Sequence, residues 1–447
     1  RNGLILPSSV PFTGFAVLFK VPSYMNDIFD ELALSNYWNG KLPKVEFARK
    51  SYTNRIFGYV GNRLVKVLTG QRGVGKGCLL RQIIYQLIAD GVSSRNILYI
   101  SKKFTDSGVL SGYRDLDDLL FIYREKIHPV GKVYIFIEEI QKVEGWEHFV
   151  HSHSQDFVDT CELFISGSNQ DMLWGEAEKL LARHYVSFEI FPFSFSEHRI
   201  LERVEATGKN YADYMGKGAL PILFNLSDAE AGWKAISALR DTILFRDIIR
   251  RYRIKDARLL EDVFVYLCTH LAELITIGQL VSHFATQNRK TSYDTVANYI
   301  CYLEDTSLIH RVERYQIRSK EILLGSCKYY INDWAFMRHL YPFFAGSRKS
   351  CFENQVYLEL RRAGYTVFVG VLRGGKLVDF VGRKKDRIVY LQCAPLLNDD
   401  FQVEQMYNTL EMIQDNYEKW VVSMDDTTLP SKEGIRHIQV WQLPEIL

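Results

Sequence analysis

A glycine-rich stretch that ends in a lysine is the part of this sequence most suited to chemistry. The run TGQRGVGKGCLL extends from Thr69 to Leu80, and its glycines let the backbone curl until several N–H groups point at one anion. Lys76 adds a positive charge that suits the β and γ phosphates of a nucleotide. The residues that we predict to hold the phosphates are Gly70, Gln71, Arg72, Gly73, Val74, Gly75, Lys76, Gly77 and Cys78.

Two adjacent carboxylates follow an apolar run further along the chain. In VYIFIEEIQ, Glu138 and Glu139 come where a buried strand should end. One carboxylate in such a pair orders a magnesium ion, and the next polarises the water that attacks the γ-phosphate. We therefore predict Glu138 as a magnesium residue, Glu139 as the catalytic base, and ATP with Mg²⁺ as the cofactors.

Two positions depart from this pattern, and both would touch the same ion. Gly77 stands where a phosphate loop normally has a Ser or Thr hydroxyl, and Glu138 stands where Asp is usual. Magnesium keeps several waters readily, so a water could replace the missing hydroxyl. Hydrolysis needs tighter positioning than binding does. We expect ATP binding to survive and hydrolysis to be slow or absent.

The elements around these residues alternate in a way that predicts a parallel sheet. After LVKVL comes a helical pattern with apolar residues at Leu79, Leu80, Ile83, Ile84 and Leu87, and further β-rich runs follow. These runs are NILYIS, KVYIFIEEI, CELFISG and HYVSFEIF. Beyond about Phe195 helical periods dominate, and beyond about Phe352 a smaller α/β pattern begins. The expected domains are an N-terminal extension (1–40), a P-loop domain (41–200), a helical domain (201–345) and a small α/β domain (346–447).

Composition excludes several classes of protein. The apolar share of 47%, the charged share of 24% and the absence of a long apolar run predict a soluble, cytoplasmic protein without membrane contact. The 7 cysteines include no CxxC pair, which argues against a disulfide framework and a zinc site. A net charge of +2 gives no overall attraction to nucleic acid, and the basic stretch from Phe245 to Arg258 is interpreted as a solvated helix face. We expect translation to start at Met25.

The order of the motifs resembles a family of prokaryotic ATPases of the AAA+ class. In that family an AAA+ module is joined to a winged-helix region and a nuclease-like C-terminal domain. The resemblance rests on GQRGVGKG, YIFIEEIQKVEGWEHF, ELFISGSN, LLARHYVSFEIFPFSFSEH and ENQVYLELRRAGY, and it extends from about Lys41 to the end. It implies that Asn169 is a sensor for the γ-phosphate and that Arg183 is an arginine finger or sensor. A finger acting on a neighbouring subunit would make the protein a homo-oligomer.

A helix, a turn and a second helix lie in the predicted helical domain. They occupy TIGQLVSHFATQNRKTSYDTVANYICYLEDTSLIHRVERY, whose β-rich end completes a winged helix-turn-helix pattern. The polar candidates for a DNA-facing surface are Arg289, Lys290, Thr291, Tyr293 and Asn298. Winged helices also serve as packing or protein-contact modules, so DNA and a protein client both stay open as partners.

The last domain is similar to the PD-(D/E)xK nuclease fold. Glu353 and Asp379 in LVDFVG match its two acids, but YLQCA offers Gln392, Cys393 and Ala394 where a further acid and a lysine belong. We do not expect nuclease activity. The predicted function is an ATP-binding switch that acts with DNA or a protein; the alternative is a non-hydrolysing scaffold that holds ATP as a structural ligand.

Overall fold

A parallel five-stranded sheet forms the first half of the molecule. The computed structural model describes residues 22–154, 161–173, 176–181, 184–226, 228–342 and 347–447. The strands are β1 (Val65–Thr69), β2 (Ile97–Ile100), β3 (Val133–Ile137), β4 (Cys161–Ser166) and β5 (Tyr185–Glu189). Their order across the sheet is β2-β3-β4-β1-β5, and every neighbouring pair is parallel. The prediction of a parallel α/β sheet is confirmed.

Helices cover the sheet because their apolar faces need burial. They are α1 (Ser23–Ser35), α2 (Lys50–Phe57), α3 (Lys76–Ala89), α4 (Lys102–Asp106), α5 (Tyr113–Ile127), α6 (Trp146–Ser154), α7 (Glu176–Leu181) and α8 (Phe195–Glu202). The apolar face predicted for α3 is buried, from Leu79 to Leu87. Burying each such aliphatic side chain contributes about 1.5 to 3 kcal/mol. This face fixes α3, and with it the loop before it, on the sheet.

Helix α1 lies inside the predicted N-terminal extension but packs into the core of the first sheet. Met25, Phe29 and Leu32 are buried in a cluster with residues of β1 and β3. The Asn36 amide and the Trp38 indole donate to the backbone of β2, at 2.9 Å and 2.7 Å. Within the predicted extension (1–40), helix α1 and the segment after it therefore pack against the first sheet, while residues 1–21 lie outside the described part of the chain.

A helical region follows the first sheet. It contains α9 (Gly208–Lys217), α10 (Ala229–Asp241), a π-helical segment (Thr242–Ile249), α11 (Arg250–Tyr252), α12 (Ala257–Thr269), α13 (Ile277–Thr286) and α14 (Tyr293–Asp305). π-helical turns are rare and are often found at functional sites. No helix in the described ranges is long and apolar enough to cross a membrane.

The rest of the chain forms a seven-stranded mixed sheet. Its order is β12-β11-β10-β9-β8-β6-β7. The elements are β6 (Ile309–Gln316), β7 (Glu321–Ile331), α15 (Ala335–Leu340), α16 (Arg348–Arg362), β8 (Thr366–Val371), β9 (Leu377–Lys384), β10 (Arg387–Cys393), α17 (Asp400–Glu411), β11 (Glu418–Ser423), β12 (Ile435–Gln439) and α18 (Leu443–Ile446). Strand β6, which contains the predicted β-rich end of the winged helix, pairs with β7 on one side and with β8 on the other. The sheet thus crosses the boundary predicted at residue 345.

Candidate functional site

The loop between β1 and α3 has the curled backbone that the glycines predict. Gly70, Gly73 and Gly75 all have positive φ, at 133°, 92° and 96°. A Cβ atom on Gly70 would lie 2.3 Å from the carbonyl oxygen of Ile190, so this position has no room for any side chain. The loop then turns directly into the N-terminus of α3, where free N–H groups favour an anion.

Lys76 is buried beneath this loop. Its Nζ donates to the carbonyl oxygens of Gly70 and Gln71, at 2.7 Å and 3.1 Å. It also lies 3.7 Å from Oε1 of Glu139. Burial lowers the pKa of the Lys76 ammonium, and the Glu139 carboxylate partly offsets that shift. The lysine and the predicted catalytic base therefore occupy one buried cluster.

Glu139 follows β3 in a left-handed backbone conformation, with φ of 50°. Its Oε2 accepts hydrogen bonds from Ser168 Oγ at 2.7 Å and Gln141 Nε2 at 2.9 Å. Burial alone would raise the pKa of Glu139, but Lys76, Arg72 and these two donors lower it to about 2. A non-glycine residue in this conformation costs about 1 to 3 kcal/mol and is a common feature of functional sites.

The strand order explains how these residues meet. Strand β4 lies between β1 and β3, so the segment after β4 reaches both the phosphate loop and Glu139. This segment carries Ser168 and Asn169, both buried. The Nδ2 atom of Asn169 has no hydrogen-bond partner within the described residues, as a sensor for a bound group would require. Arg183, the other residue expected to sense the phosphate, lies outside the described residues.

Arg72 links the loop to the helical region, a contact that the sequence did not predict. Its Nε and Nη2 donate to the two carboxylate oxygens of Asp247, at 2.8 Å and 3.0 Å. Nη2 also lies 3.7 Å from Oε2 of Glu139, and Lys142 Nζ lies 3.3 Å from Asp247 Oδ1. Asp247 is only 1% exposed, so the interpretation of the stretch 245–258 as a solvated face is wrong at this position.

Other loop residues also contact distant parts of the chain. The Gln71 side chain accepts a hydrogen bond from Asn332 Nδ2 at 2.9 Å, just after β7. A Cβ on Gly73 would lie 3.1 Å from Leu239 of α10. The Val74 carbonyl accepts from Arg49, at 3.0 Å, and Cys78 is exposed at the start of α3. The loop is thus a junction between both sheets and the helical region.

Gly77 and Glu138, the two departures from the expected pattern, lie against each other. A Cβ on Gly77 would be 2.2 Å from Oε1 of Glu138 and 2.7 Å from its Cδ. The longer glutamate therefore fills the space that a Ser or Thr side chain would need. The two departures are therefore coupled by the space that they share, as well as by the ion that both were predicted to touch.

The surroundings of Glu138 do not fit its predicted role as a magnesium residue. Oε1 accepts from Tyr99 Oη at 2.6 Å and from Arg81 Nη1 at 3.4 Å, and Oε2 accepts from the Lys102 amide at 3.1 Å. A magnesium ion needs free oxygen ligands in near-octahedral geometry.

A second polar cluster lies in the C-terminal sheet. Lys328 Nζ and Tyr330 Oη, both from β7, contact Oε1 of Glu353 at 2.7 Å and 2.6 Å. Asp379 accepts a hydrogen bond from the Cys393 amide at 2.8 Å. Lys328, Glu353, Asp379 and Cys393 line a cavity of about 680 Å³. The sequence missed Lys328 because it comes from the hairpin rather than from the strand where the nuclease pattern has its lysine.

Part of the predicted DNA-facing surface is exposed. Lys290, Tyr293 and Asn298 are exposed at and after the turn before α14. Arg289 instead forms an ion pair with Asp262 of α12. Thr291 is partly buried, and its hydroxyl has no partner within the described residues. Three of the five candidates can therefore meet a partner directly.

Comparison with known proteins relates the chain to two families and to proteins of two microorganisms. Residues 62–199 match an AAA domain, and residues 208–347 match a domain of unknown function (DUF8612). An uncharacterized protein of Haemophilus influenzae is 31% identical over 407 residues, which are 89% of this chain and 98% of that protein. An uncharacterized protein of Methanocaldococcus jannaschii is 26% identical over 358 residues, covering 76% of this chain and 74% of that protein.

Three solved structures have a weaker similarity to this chain. The Walker-type ATPase of Pyrococcus abyssi is 14% identical, with a TM-score of 0.39, covering 67% of this chain and 98% of that chain. The Aeropyrum pernix ORC1 protein in complex with DNA is 14% identical, with a TM-score of 0.30, covering 68% and 95%. Thermotoga maritima RuvB is 16% identical, with a TM-score of 0.30, covering 59% and 87%.

Proposed function

Since this chain contains an AAA domain at residues 62–199 and belongs to one family with the uncharacterized Haemophilus influenzae protein, we propose that it is an ATP-binding switch of the AAA-type P-loop ATPase class. ATP would bind at the loop between β1 and α3, with its phosphates at Lys76 and at the backbone N–H groups that begin α3. The helical region would respond to the bound nucleotide. Slow hydrolysis, or none, would set how long the bound state lasts.

The observation that carries this proposal is the bridging position of Arg72. The guanidinium lies between Glu139 and Asp247, at 3.7 Å from Glu139 Oε2 and 2.8 Å from Asp247 Oδ2. Phosphate oxygens at the loop would compete with both carboxylates for this guanidinium, because Arg binds phosphate through paired hydrogen bonds. Nucleotide binding would therefore change the contact that joins the loop to the π-helical segment.

The state of Glu139 supports slow hydrolysis. An effective general base has a pKa near the working pH, whereas the Lys76 and Arg72 charges help hold the pKa of Glu139 at about 2. Ser168 and Gln141 fix its Oε2, leaving Oε1 for a water. As long as Lys76 and Arg72 stay beside it, the carboxylate would orient that water well but accept its proton poorly. Asn169, with its free Nδ2, would hold the water or a phosphate oxygen.

A second candidate function is a non-hydrolysing scaffold that uses ATP as a structural ligand. The loop residues Gln71, Arg72 and Gly73 contact three distant parts of the chain. A ligand that binds only the folded state stabilises it by mass action, about 2.7 kcal/mol at a hundredfold excess over its Kd. ATP at this junction would then stabilise all three parts together.

The partners of the switch are proposed from the surface at α14. Lys290, Tyr293 and Asn298 offer a charge, a ring for stacking and an amide, which together suit DNA. A protein client is the alternative partner for this surface. The proposal of a homo-oligomer rests on Arg183 as a finger acting in trans. Cytoplasmic location stays a prediction from composition.

One preparation can separate the two candidate functions. ATP binding and phosphate release should be measured for the wild type, for Lys76→Ala and for Lys44→Ala, a control at an exposed lysine that pairs with Glu46. The switch proposal expects binding that is lost in Lys76→Ala and kept in Lys44→Ala, with slow release of phosphate. Binding without any release would favour the scaffold. Binding that survives Lys76→Ala unchanged would contradict both.

A further inference from the structure

The presence of Gly77 in place of Ser or Thr, and of Glu138 in place of Asp, removes the usual ligands for magnesium beside the loop. Gly77 supplies no hydroxyl, and the Glu138 carboxylate occupies the space where one would be, with Oε1 2.2 Å from the position of a Cβ. That carboxylate already accepts from Tyr99 Oη, Arg81 Nη1 and the Lys102 amide. A cation placed here would have to displace donors that are already in place.

The positively charged guanidinium of Arg81 lies beside the Glu138 carboxylate. Arg81 comes from the second turn of α3, and its Nη1 lies 3.4 Å from Glu138 Oε1 and 3.2 Å from Tyr99 Oη. Nη2 lies 3.1 Å from Sγ of Cys78, so the guanidinium turns back toward the start of the helix. The Arg81 side chain is 34% exposed, whereas that of Glu138 is 6% exposed. The charge of Arg81 is therefore partly exposed, beside Cys78 at the start of the helix that follows the phosphate loop.

We infer that Arg81 takes the place of magnesium, so that this loop binds the triphosphate of ATP without a divalent cation. The inference rests on the proposed binding of ATP at Lys76. Glu138 is then a positioning residue, because it holds the guanidinium at the loop and touches no phosphate. Arg72, Lys76 and Arg81 together supply the positive charge that the phosphates need.

The chemistry of the guanidinium suits this role. Arginine is always charged, presents several donors in a fixed plane and binds phosphate through two parallel hydrogen bonds. A magnesium ion also activates water and steadies the leaving phosphate during hydrolysis, which a guanidinium does only in part. Replacing the ion would therefore preserve binding better than turnover. This agrees with the low proton affinity of Glu139.

The test is the Kd of ATP measured by calorimetry with Mg²⁺ and with EDTA. For the wild type we expect the two Kd values to agree within about threefold, which is less than 1 kcal/mol. Arg81→Ala should weaken the binding of ATP in EDTA about tenfold, which is the loss expected for a charge-assisted hydrogen bond. Arg81→Lys, which keeps the charge, should recover part of that loss. Arg114→Ala, at an exposed arginine, is the matched control.

A double substitution that restores the usual residues at both positions tests the inference in the opposite direction. Gly77→Ser with Glu138→Asp restores a hydroxyl and shortens the carboxylate that would clash with it. The double variant should bind ATP at least about tenfold more weakly in EDTA than in Mg²⁺. Gly77→Ser alone should displace the Glu138 carboxylate, which its Cβ meets, and should therefore weaken ATP binding in EDTA. Circular dichroism confirms that each variant is folded.

The outcomes separate this inference from the proposed function. Wild-type binding that falls more than about tenfold in EDTA would overturn the role of Arg81 and leave ATP binding at Lys76 intact. Wild-type binding equal in both conditions but unchanged by Arg81→Ala would also overturn that role. Absence of binding in both conditions would overturn the proposed function and the inference together.

Discussion

Arg72 in the phosphate loop and Asp247 in the π-helical segment form a paired hydrogen bond, at 2.8 Å and 3.0 Å, although 175 positions separate them in the chain. Asp247 is buried, and Lys142 contacts its second oxygen. Removing one partner of a buried ion pair usually costs about 3 to 5 kcal/mol, because the other charge is left without compensation. The pair therefore ties the conformation of the loop to that of the helical region.

Asp247→Asn should destabilise the protein by about 3 kcal/mol, since Arg72 and Lys142 would lose their common carboxylate. The measurement is the urea midpoint of unfolding, followed by circular dichroism. Glu46→Gln, at an exposed acid that pairs with Lys44, is the control and should leave the midpoint unchanged. Equal midpoints for Asp247→Asn and the wild type would show that the pair does not hold the two regions together.

Gly70→Ala should abolish ATP binding and lower the melting temperature. Its Cβ would lie 2.3 Å from the Ile190 carbonyl, and its φ is 133°. Gly108→Ala is a matched control, because Gly108 also has a positive φ, 74°, but no atom within 4 Å of the added carbon. The control should cost only the backbone strain, about 1 kcal/mol. Similar losses for both variants would argue against the tight contact with Ile190.

The pH dependence of stability should contain a contribution from Glu139. Its pKa falls from an ordinary 4.5 to about 2 on folding, so its stabilising effect is complete above about pH 4.5 and is lost as the pH falls toward 2. Unfolding in urea should therefore show a steeper loss of stability between about pH 5 and pH 2.5 for the wild type than for Glu139→Gln. Identical pH profiles would mean that Glu139 is not held in this charged cluster.

DNA binding, if it occurs at α14, should weaken as salt concentration rises, because phosphate contacts release counterions. Lys290→Ala should lower the slope of log K against log salt by about one unit. A filter-binding titration with duplex DNA measures both, with Lys44→Ala as control. Binding that is indifferent to salt would assign this surface to a protein client instead.

The cluster at Glu353 should not cleave DNA. It brings together Lys328, Glu353 and Asp379, but within the described ranges no group of three His, Cys, Asp or Glu residues is present to hold metals. A supercoiled plasmid incubated with Mn²⁺ and excess protein should stay intact. Nicking that disappears in Glu353→Gln would show that Lys328 supplies the missing lysine and that the cluster is active.

The local parts of the fold and site could be predicted from the sequence. The five parallel strands, the loop at Lys76 and the acid at Glu139 depend on periodicity and spacing over short stretches, which the sequence shows directly. The clustering of Lys76 with Glu139 follows because the carboxyl ends of parallel strands meet at one edge. Their roles in binding and hydrolysis stay predictions.

The contacts between distant segments could not be predicted. Asp247 is part of a basic stretch, and nothing in its neighbours marks it as buried. Arg81 is one of several polar residues on α3, and Lys328 lies on the hairpin before the last domain. Each gains its role from the packing of elements far apart in the chain, which no local pattern shows. The pairing of Gly77 with Glu138 is a contact of the same kind, hidden until both side chains have positions.

Amide hydrogen exchange in the π-helical segment 242–249 shows whether ATP acts beyond its own loop. The wild type, Lys76→Ala and Asp247→Asn should be compared with and without saturating ATP. We predict that ATP speeds exchange in this segment of the wild type, because phosphate draws Arg72 away from Asp247. Lys76→Ala and Asp247→Asn should show no such response. ATP that binds the wild type and leaves exchange in 242–249 unaltered would contradict the proposal of a switch.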